Sequence, residues 1–364
     1  MRIYWGLLAA LLACSSSTSP TGDAADVGMD AAVDSASFDA GVDSGVDAGV
    51  DAPAEDAGND AGPPLSACVI EYFDNQGDGC FCMGPVATFE NYVYRQSLGI
   101  EVYDAQDPSS LIRLRNVDER PSANGHLAVR GDVLISSLDF EEQPLRLYSL
   151  ADPALPTEIL RFGAVSVRSF AAGESDVVVI EATRERASAL VHYAINDEGA
   201  TETWRVPLPD VPAFPDASLA LVGTDVFLAT LEERDPERTR VRRYDASGAE
   251  TLNVMRRGYG SLYASDGELY ETNGEARVAR LDPATLDTEM SFGEARFGET
   301  VLVRGDIVLL SGTIALERQT FRELSLSVVG TDGPRGFDVL EAGEGEVVFG
   351  SNGNGLIPFS LRCE

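Results

Sequence analysis

The chain has no lysine, so all 27 of its cationic side chains are arginine. That excludes Schiff-base catalysis and any other lysine-dependent mechanism, and with it the phosphate loop G-x-x-x-x-G-K-[ST]. Histidine is scarce, with His126 and His192 the two copies. Neither belongs to an H-E-x-x-H zinc helix, and there is no G-x-S-x-G nucleophile elbow. Both read as ordinary strand histidines. Positive charge is short overall: 60 acids face 27 arginines, a formal net charge of −33. Residues 1–67 hold eleven of the acids and one arginine, which leaves −23 on the remainder. Such a surface repels phosphate backbones and anionic head groups, so nucleic acid is not an expected partner.

The five cysteines divide as one plus four. The first closes the N-terminal run MRIYWGLLAALLAC, which has a basic residue (Arg2), an apolar stretch and a small residue before Cys14. It is too short to span a bilayer and reads as an export signal. Leu11-Leu12-Ala13-Cys14 resembles the lipobox of bacterial lipoproteins. The resemblance implies that residues 1–13 are a signal peptide and that Cys14 is lipidated and becomes the new N-terminus. By resemblance to Gram-negative lipoproteins, Ser15 implies delivery to the outer membrane, on its periplasmic or outer side. Its acyl chains meet the requirement for stable anchoring.

Cys68, Cys80, Cys82 and Cys363 are then an even set in an oxidising compartment, which predicts two disulfides. Joining Cys80 to Cys82, two residues apart, strains disulfide geometry. The expected pairs are therefore Cys68–Cys80 with Cys82–Cys363, or else Cys68–Cys82 with Cys80–Cys363. Either set ties the start of the folded region, residues 68–364, to its penultimate residue.

Between Cys14 and residue 67 the chain is nearly all Ser, Thr, Pro, Gly, Ala, Val and Asp, as in DAGVDSGVDAGVDAP. Asp recurs every four or five residues, yet frequent glycine and like charges four apart both oppose a helix. This segment is expected to be a disordered, self-repelling acidic tether.

From residue 84 one phrase recurs: a small or polar residue, an acid or Asn, then an apolar run. Its first strand residues are Tyr92, Val133, Val177, Val226, Leu269, Ile307 and Val347, spaced 38 to 49 residues apart. Each run pairs with the strand before it across a tight turn, as in HLAVRGDVLISS. Gly-Asp and Asp-Gly suit such turns because these residues tolerate positive φ. A further strand follows, for example GIEVYD, LRLYSL, RVRRYD or LSLSVV, and then another β-rich run such as TEILRFG. Four short strands repeated at this period predict an all-β, seven-bladed β-propeller. Near-continuous apolar runs such as Val177–Ile180 fit sheets covered on both faces. The junction TDGPRGFDVLEAG is too short for a complete last unit, so the segment CVIEYF at residues 68–73 is expected to complete it.

The phrases GIEVYDAQDPSSLIRL and PLRLYSLADPALPTEIL resemble LVIVD repeats, in which such a strand is followed by Asp-Pro. The resemblance covers roughly residues 86–182. It implies an exported propeller of the interaction type and brings no catalytic residues.

The nearest approach to a metal site is Asp74-Asn75-Gln76-Gly77-Asp78-Gly79, which makes Asp74 and Asp78 calcium candidates. The twelfth position is Pro85 where calcium loops need Glu, so a turn bounded by Cys80 and Cys82 explains the residues better. No cofactor is expected. The recurrent Tyr103, Tyr148, Tyr193 and Tyr244 read as packing residues. With the hairpin strands lettered B and C and the next strand D, the charged C–D connections share a face with the A–B connections. They are LDFEEQP, ATRERAS, LEERDPERTR and IALERQTFRE. Function is expected there, as non-catalytic binding of a protein or envelope component by a membrane-anchored monomer. The rival expectation is an exported hydrolase acting on polysaccharide through paired carboxylates.

Overall fold

The computed structural model describes residues 65–364 apart from 74–83, 97–98, 118–124, 138–142, 164–165, 183–187, 197–198, 210, 212–216, 235–236, 295, 297, 330–335, 338 and 353–354. Cys14, Asp74, Asp78, Cys80 and Cys82 lie outside the described residues, as do the signal and nearly all of the tether.

The chain enters through β1 (Ala67–Tyr72) and then runs as successive four-stranded antiparallel quartets. The first is β2 (Val86–Phe89), β3 (Tyr92–Gln96), β4 (Ile100–Asp104) and β5 (Ile112–Asn116). The second is β6 (His126–Arg130), β7 (Val133–Ser137), β8 (Leu145–Ser149) and β9 (Thr157–Phe162). The third is β10 (Val167–Ala172), β11 (Asp176–Ala182), β12 (Ser188–Asn196) and β13 (Gly199–Leu208). The fourth is β14 (Ala217–Val222), β15 (Asp225–Arg234), β16 (Glu237–Tyr244) and β17 (Glu250–Arg257). The fifth is β18 (Ser261–Ser265), β19 (Glu268–Thr272), β20 (Val278–Leu281) and β21 (Thr288–Phe292). An eight-stranded sheet completes the fold. One half is β22 (Val301–Arg304), β23 (Ile307–Leu310), β24 (Ile314–Glu317) and β25 (Glu323–Val329). The other half is β26 (Val339–Ala342), β27 (Val347–Asn352), β28 (Gly355–Cys363) and β1.

Every apolar run singled out in the sequence is the second strand of its quartet, and alternation explains why those runs look continuous. Val177 to Ile180 are all fully buried. Val177 and Val179 pack with Leu145 and Leu147 of the second quartet, whereas Val178 and Ile180 pack with Val226 and Leu228 of the fourth. Successive side chains point to opposite faces, and here each face meets another sheet. The same division recurs around the molecule and gives seven hydrophobic clusters among the described residues. One of them joins Val93 and Tyr103 of the first quartet to Phe349 and Leu356 of the last.

First strands lie beside first strands: β6 next to β2 and β10, β14 next to β10 and β18, and β26 next to β22 and β2. Hydrogen bonds cross these seams, from Thr88 Oγ1 to the Ala342 carbonyl (2.6 Å) and from Arg130 Nε to the Ala172 carbonyl (2.9 Å). Two-residue turns close the first hairpins, with Gly131 and Gly305 each at φ 54°, the left-handed conformation these turns require. Between third and fourth strands the register slips immediately before Tyr103, Tyr148, Tyr193 and Tyr244. That repeated bulge bends the outer strand, and it accounts for the tyrosine period: all four rings are buried.

The seam between the chain ends is built differently. β1 pairs antiparallel with β28 and parallel with β25, so one N-terminal strand is the outer strand of the last quartet and joins it to the outer strand of the quartet before. The segment expected to complete the last unit does so. The disulfide expectation needs correction, because the bridge is Cys68–Cys363, which belongs to neither expected set. In the β1–β28 register these two residues stand directly opposite each other, 4.0 Å apart at Cα. Chain separation said nothing about that adjacency, and avoidance of a Cys80–Cys82 bridge pointed away from it.

The lettering is corrected too. The hairpin is formed by the first and second strands, and TEILRF is the outer fourth strand of its own quartet. IALERQTFRE is not a connection but contains β24, whose Ala315 and Leu316 are fully buried; the connection before it is the turn Ser311–Thr313. LSLSVV is consequently a fourth strand, β25, rather than a third. LEERDPERTR mostly lengthens β15 and β16.

Candidate functional site

Where the second strand runs into the connection to the third, the apolar run stops and buried polar residues begin. Arg95, Gln96, Ser136, Ser137, Glu181, Thr230, Glu271, Thr272 and Ser351 are each at most 2 % exposed. Buried polar groups persist only when paired, and here most of the charge is. Arg95 Nε donates to Glu101 Oε2 (2.8 Å), and Arg95 Nη2 donates to the Tyr103 hydroxyl, also at 2.8 Å. The Tyr193 hydroxyl donates to Glu181 Oε1 (2.7 Å), whose other oxygen takes Arg205 Nη1 at 2.8 Å. Burial, with the Glu181 bond adding to it, pushes the Tyr193 phenol well above its ordinary range. In the opposite direction, the Arg205 bond holds Glu202 below the usual carboxylate range.

Arg256 reaches from β17 across to the fifth quartet. It donates to Glu271 Oε2 (2.8 Å), the Leu286 carbonyl (3.0 Å) and Thr288 Oγ1 (2.9 Å). Burial raises the Glu271 carboxyl despite that arginine. Arg277 and Glu299 pair across the next seam. These networks fix the ends of the strands that carry the connections. They are a rigid frame, not a set of free acids and bases.

This is the face on which function was expected, though little of its connections falls among the described residues. Of LDFEEQP and ATRERAS, residues 138–142 and 183–187 lie outside them. In LEERDPERTR, Glu232 accepts from Arg240 Nε (2.9 Å) and Arg242 Nη2 (3.2 Å), while Glu233 and Arg238 pair exposed beyond it.

The two histidines make separate contacts. His126, on a first strand, stacks on Phe170 of the neighbouring first strand, 5.9 Å between centroids. His192 lies in a row across three strands: Nε2 is 3.1 Å from Asp176 Oδ2 and Nδ1 is 2.6 Å from Thr203 Oγ1. A hydroxyl, imidazole and carboxylate in a row is the geometry of acyl-transfer triads. Here, however, the Thr203 hydroxyl donates to the His192 carbonyl at 3.3 Å, and Trp204 stacks on the ring at 5.0 Å. The row therefore works as cross-strand bonding. Glu341, on the first strand β26, is pushed up to about 7 by burial, with Arg130 the charge that opposes the shift. Its charged neighbour is a base and not the second acid that a paired-carboxylate hydrolase needs.

Two clefts open at equivalent places between quartets. One, of about 430 Å³, lies between β5 and the β8–β9 pair; the other, of about 310 Å³, lies between β13 and the β16–β17 pair. Arg146, Tyr148 and Glu158 in the first match Arg242, Tyr244 and Glu250 in the second, with each tyrosine opposite its glutamate in register. Burial pushes the Tyr244 phenol up to about 12. Sequence reasoning missed both clefts, although the recurring Arg-x-Tyr of the third strands was a visible signal. It also missed Glu341 and the Asp176–His192–Thr203 row, which depend on strand register.

No family model matches the chain, and no curated protein matches it. Among solved structures it is similar to Saccharomyces cerevisiae Sqt1, with TM-score 0.52 and 9 % identity over 82 % of this chain and 99 % of that one. It is likewise similar to a chain of the mitotic checkpoint complex, with TM-score 0.52 and 11 % identity over 85 % of this chain and 96 % of that one. Both are β-propeller proteins, and the likeness shows that fold here.

Proposed function

We propose that the chain is a lipid-anchored, seven-bladed β-propeller of the cell envelope that binds another protein or an envelope component without catalysis. One observation carries the binding reading. The charged side chains at the second-to-third-strand end of the quartets are largely engaged in pairs that hold the scaffold, as in Arg95–Glu101, Arg205–Glu181 and Arg256–Glu271. Variation is left to the connections above them, as suits a recognition surface. Seven quartets and seven intersheet clusters support seven blades, and the repeats that resemble LVIVD repeats fit an exported interaction module. The lipobox-like Leu11–Cys14 and the acidic segment after it support an outer-membrane anchor and a tether.

The test places a photo-crosslinking residue at Glu233, on the face in question, in the full-length protein expressed in a Gram-negative host. A discrete crosslinked partner is the expected result. Hydrolysis of glycans or peptides by the purified protein, abolished by one Asp or Glu substitution, would replace binding by catalysis. Cys14→Ser should move the protein from the membrane to the soluble fraction, and continued membrane association would refute the anchor.

A further inference from the structure

We propose that the open edge of β5, with the arginine-lined cleft beside it, docks an extended acidic segment of a partner protein by strand addition. The proposal rests on the reading of the protein as a binding module and names a site and a partner chemistry for it.

The first observation is charge. β5 reads Ile112-Arg113-Leu114-Arg115-Asn116 and carries no acid. Every other outer strand carries a glutamate: Glu158, Glu202, Glu250, Glu289, Glu323 and, on β1, Glu71. The cleft next to β5 is lined by Arg115, Arg146 and Arg161 against the single acid Glu158. Glu158 Oε2 takes Arg161 at 2.9 Å and Arg146 at 3.5 Å. Arg115 stands exposed at the mouth. In a protein of net charge −33, arginines outnumber acids three to one in the lining of this cleft.

The second observation is apolar exposure. Among the described residues seven large apolar side chains are exposed, and four of them belong to the strands and turn that form this cleft: Ile112 at 56 %, Leu114 at 39 %, Leu155 at 45 % and Ile159 at 56 %. Ile112 and Leu114 lie on β5, Ile159 on β9, and Leu155 lines the cleft itself.

The third observation is the edge. β5 is the last strand of its sheet among the described residues, and no described strand pairs with its outer side. The equivalent edge of β25 has one: β1 lies along it in parallel, from Ala67 opposite Ser325 to Glu71 opposite Val329. The molecule thus already shows an extended segment seated on an outer strand. An added strand presents alternate side chains to one face, which lets its carboxylates meet the arginines of the cleft while an apolar residue between them covers Leu114. Charges on an edge strand also guard against aggregation. Guarding by itself calls for neither an arginine-lined cleft nor the apolar side chains around it.

The probe is a short fluorescein-labelled peptide alternating glutamate and valine. Its controls are the same peptide with arginine for glutamate and one N-methylated along one edge. Anisotropy with the full chain should show binding of the acidic peptide alone, weakening as salt rises and lost on N-methylation. Arg115→Glu, an exposed site, should weaken it about tenfold or more with unchanged circular dichroism. Leu114→Asp is the second variant and should weaken it too. Equal binding of the arginine peptide, or indifference to both variants, overturns the proposal. So does a concentration-dependent dimer abolished by Arg115→Glu, which would seat a second copy on the edge. Photo-crosslinkers at Leu114 and at Glu233 separate the two readings in cells. A partner captured at Glu233 alone removes this site and keeps the binding module, whereas no partner at either position removes both.

Discussion

Two outer edges of one fold have been finished in opposite ways. The edge of β25 is covered by β1, whose Ile70 is fully buried and whose Cys68 is bonded to Cys363. The edge of β5 has no strand beside it among the described residues, and it is cationic and apolar at once. Both are outer strands of antiparallel quartets, so the repeat does not dictate the difference. Side chains do: β1 brings alternating buried residues to its partners, whereas the first four residues of β5 face solvent. Stability should therefore be concentrated at the covered edge and nearly absent at the open one.

The largest effect is expected from removing the bridge. Cys68→Ser frees a closure spanning 295 residues, for which the chain-entropy account gives about 5 kcal/mol as an upper figure. Urea unfolding should show a lower midpoint than wild type; an unchanged midpoint would mean that β1 needs no bridge. Next comes Ile70→Ala, which empties a fully buried site in the cluster containing Leu324 and Phe359. It should cost about 2–5 kcal/mol by the same measurement. Glu101→Gln leaves the fully buried Arg95 without its carboxylate partner, beneath the open edge. A loss of about 3 kcal/mol is expected, and a loss under 1 would show that the other partners of Arg95, Tyr103 among them, satisfy the guanidinium.

A pH effect should come from neither edge but from a first strand. Glu341 on β26 is raised to about 7 by burial, so the folded state holds its proton more tightly than the unfolded chain does. Its contribution is fully present below the ordinary carboxyl range and is lost as pH rises toward about 7. Glu341→Gln should flatten that part of a stability-against-pH curve, and an unchanged slope would assign it to other groups. Smallest of all is Leu114→Ala on β5, expected within about 0.5 kcal/mol of wild type. A larger loss would show that the open edge is covered after all.

Much of this fold was legible because its determinants are local. The seven apolar runs each became a second strand, and Val177–Ile180 announced burial on both faces. What depended on register stayed hidden. Whether TEILRF closes one sheet or begins the next is decided by hydrogen bonds, not by composition. IALE was taken into a connection because its charged neighbours Arg318 and Glu323 masked four strand residues. The clefts, each lined by residues of several strands, could be seen only once those strands were laid side by side.

The position of the bridge has a mechanical consequence. Cys68 is the second residue of β1, so a pull on the chain ahead of it reaches a covalent bond almost at once. From there the load divides between β1 and β28 and does not peel β1 away one hydrogen bond at a time. A protein held by its N-terminal side in moving fluid would bear drag through two strands in parallel, with the later pairs of β1, from Val69 to Tyr72, shielded behind the bridge.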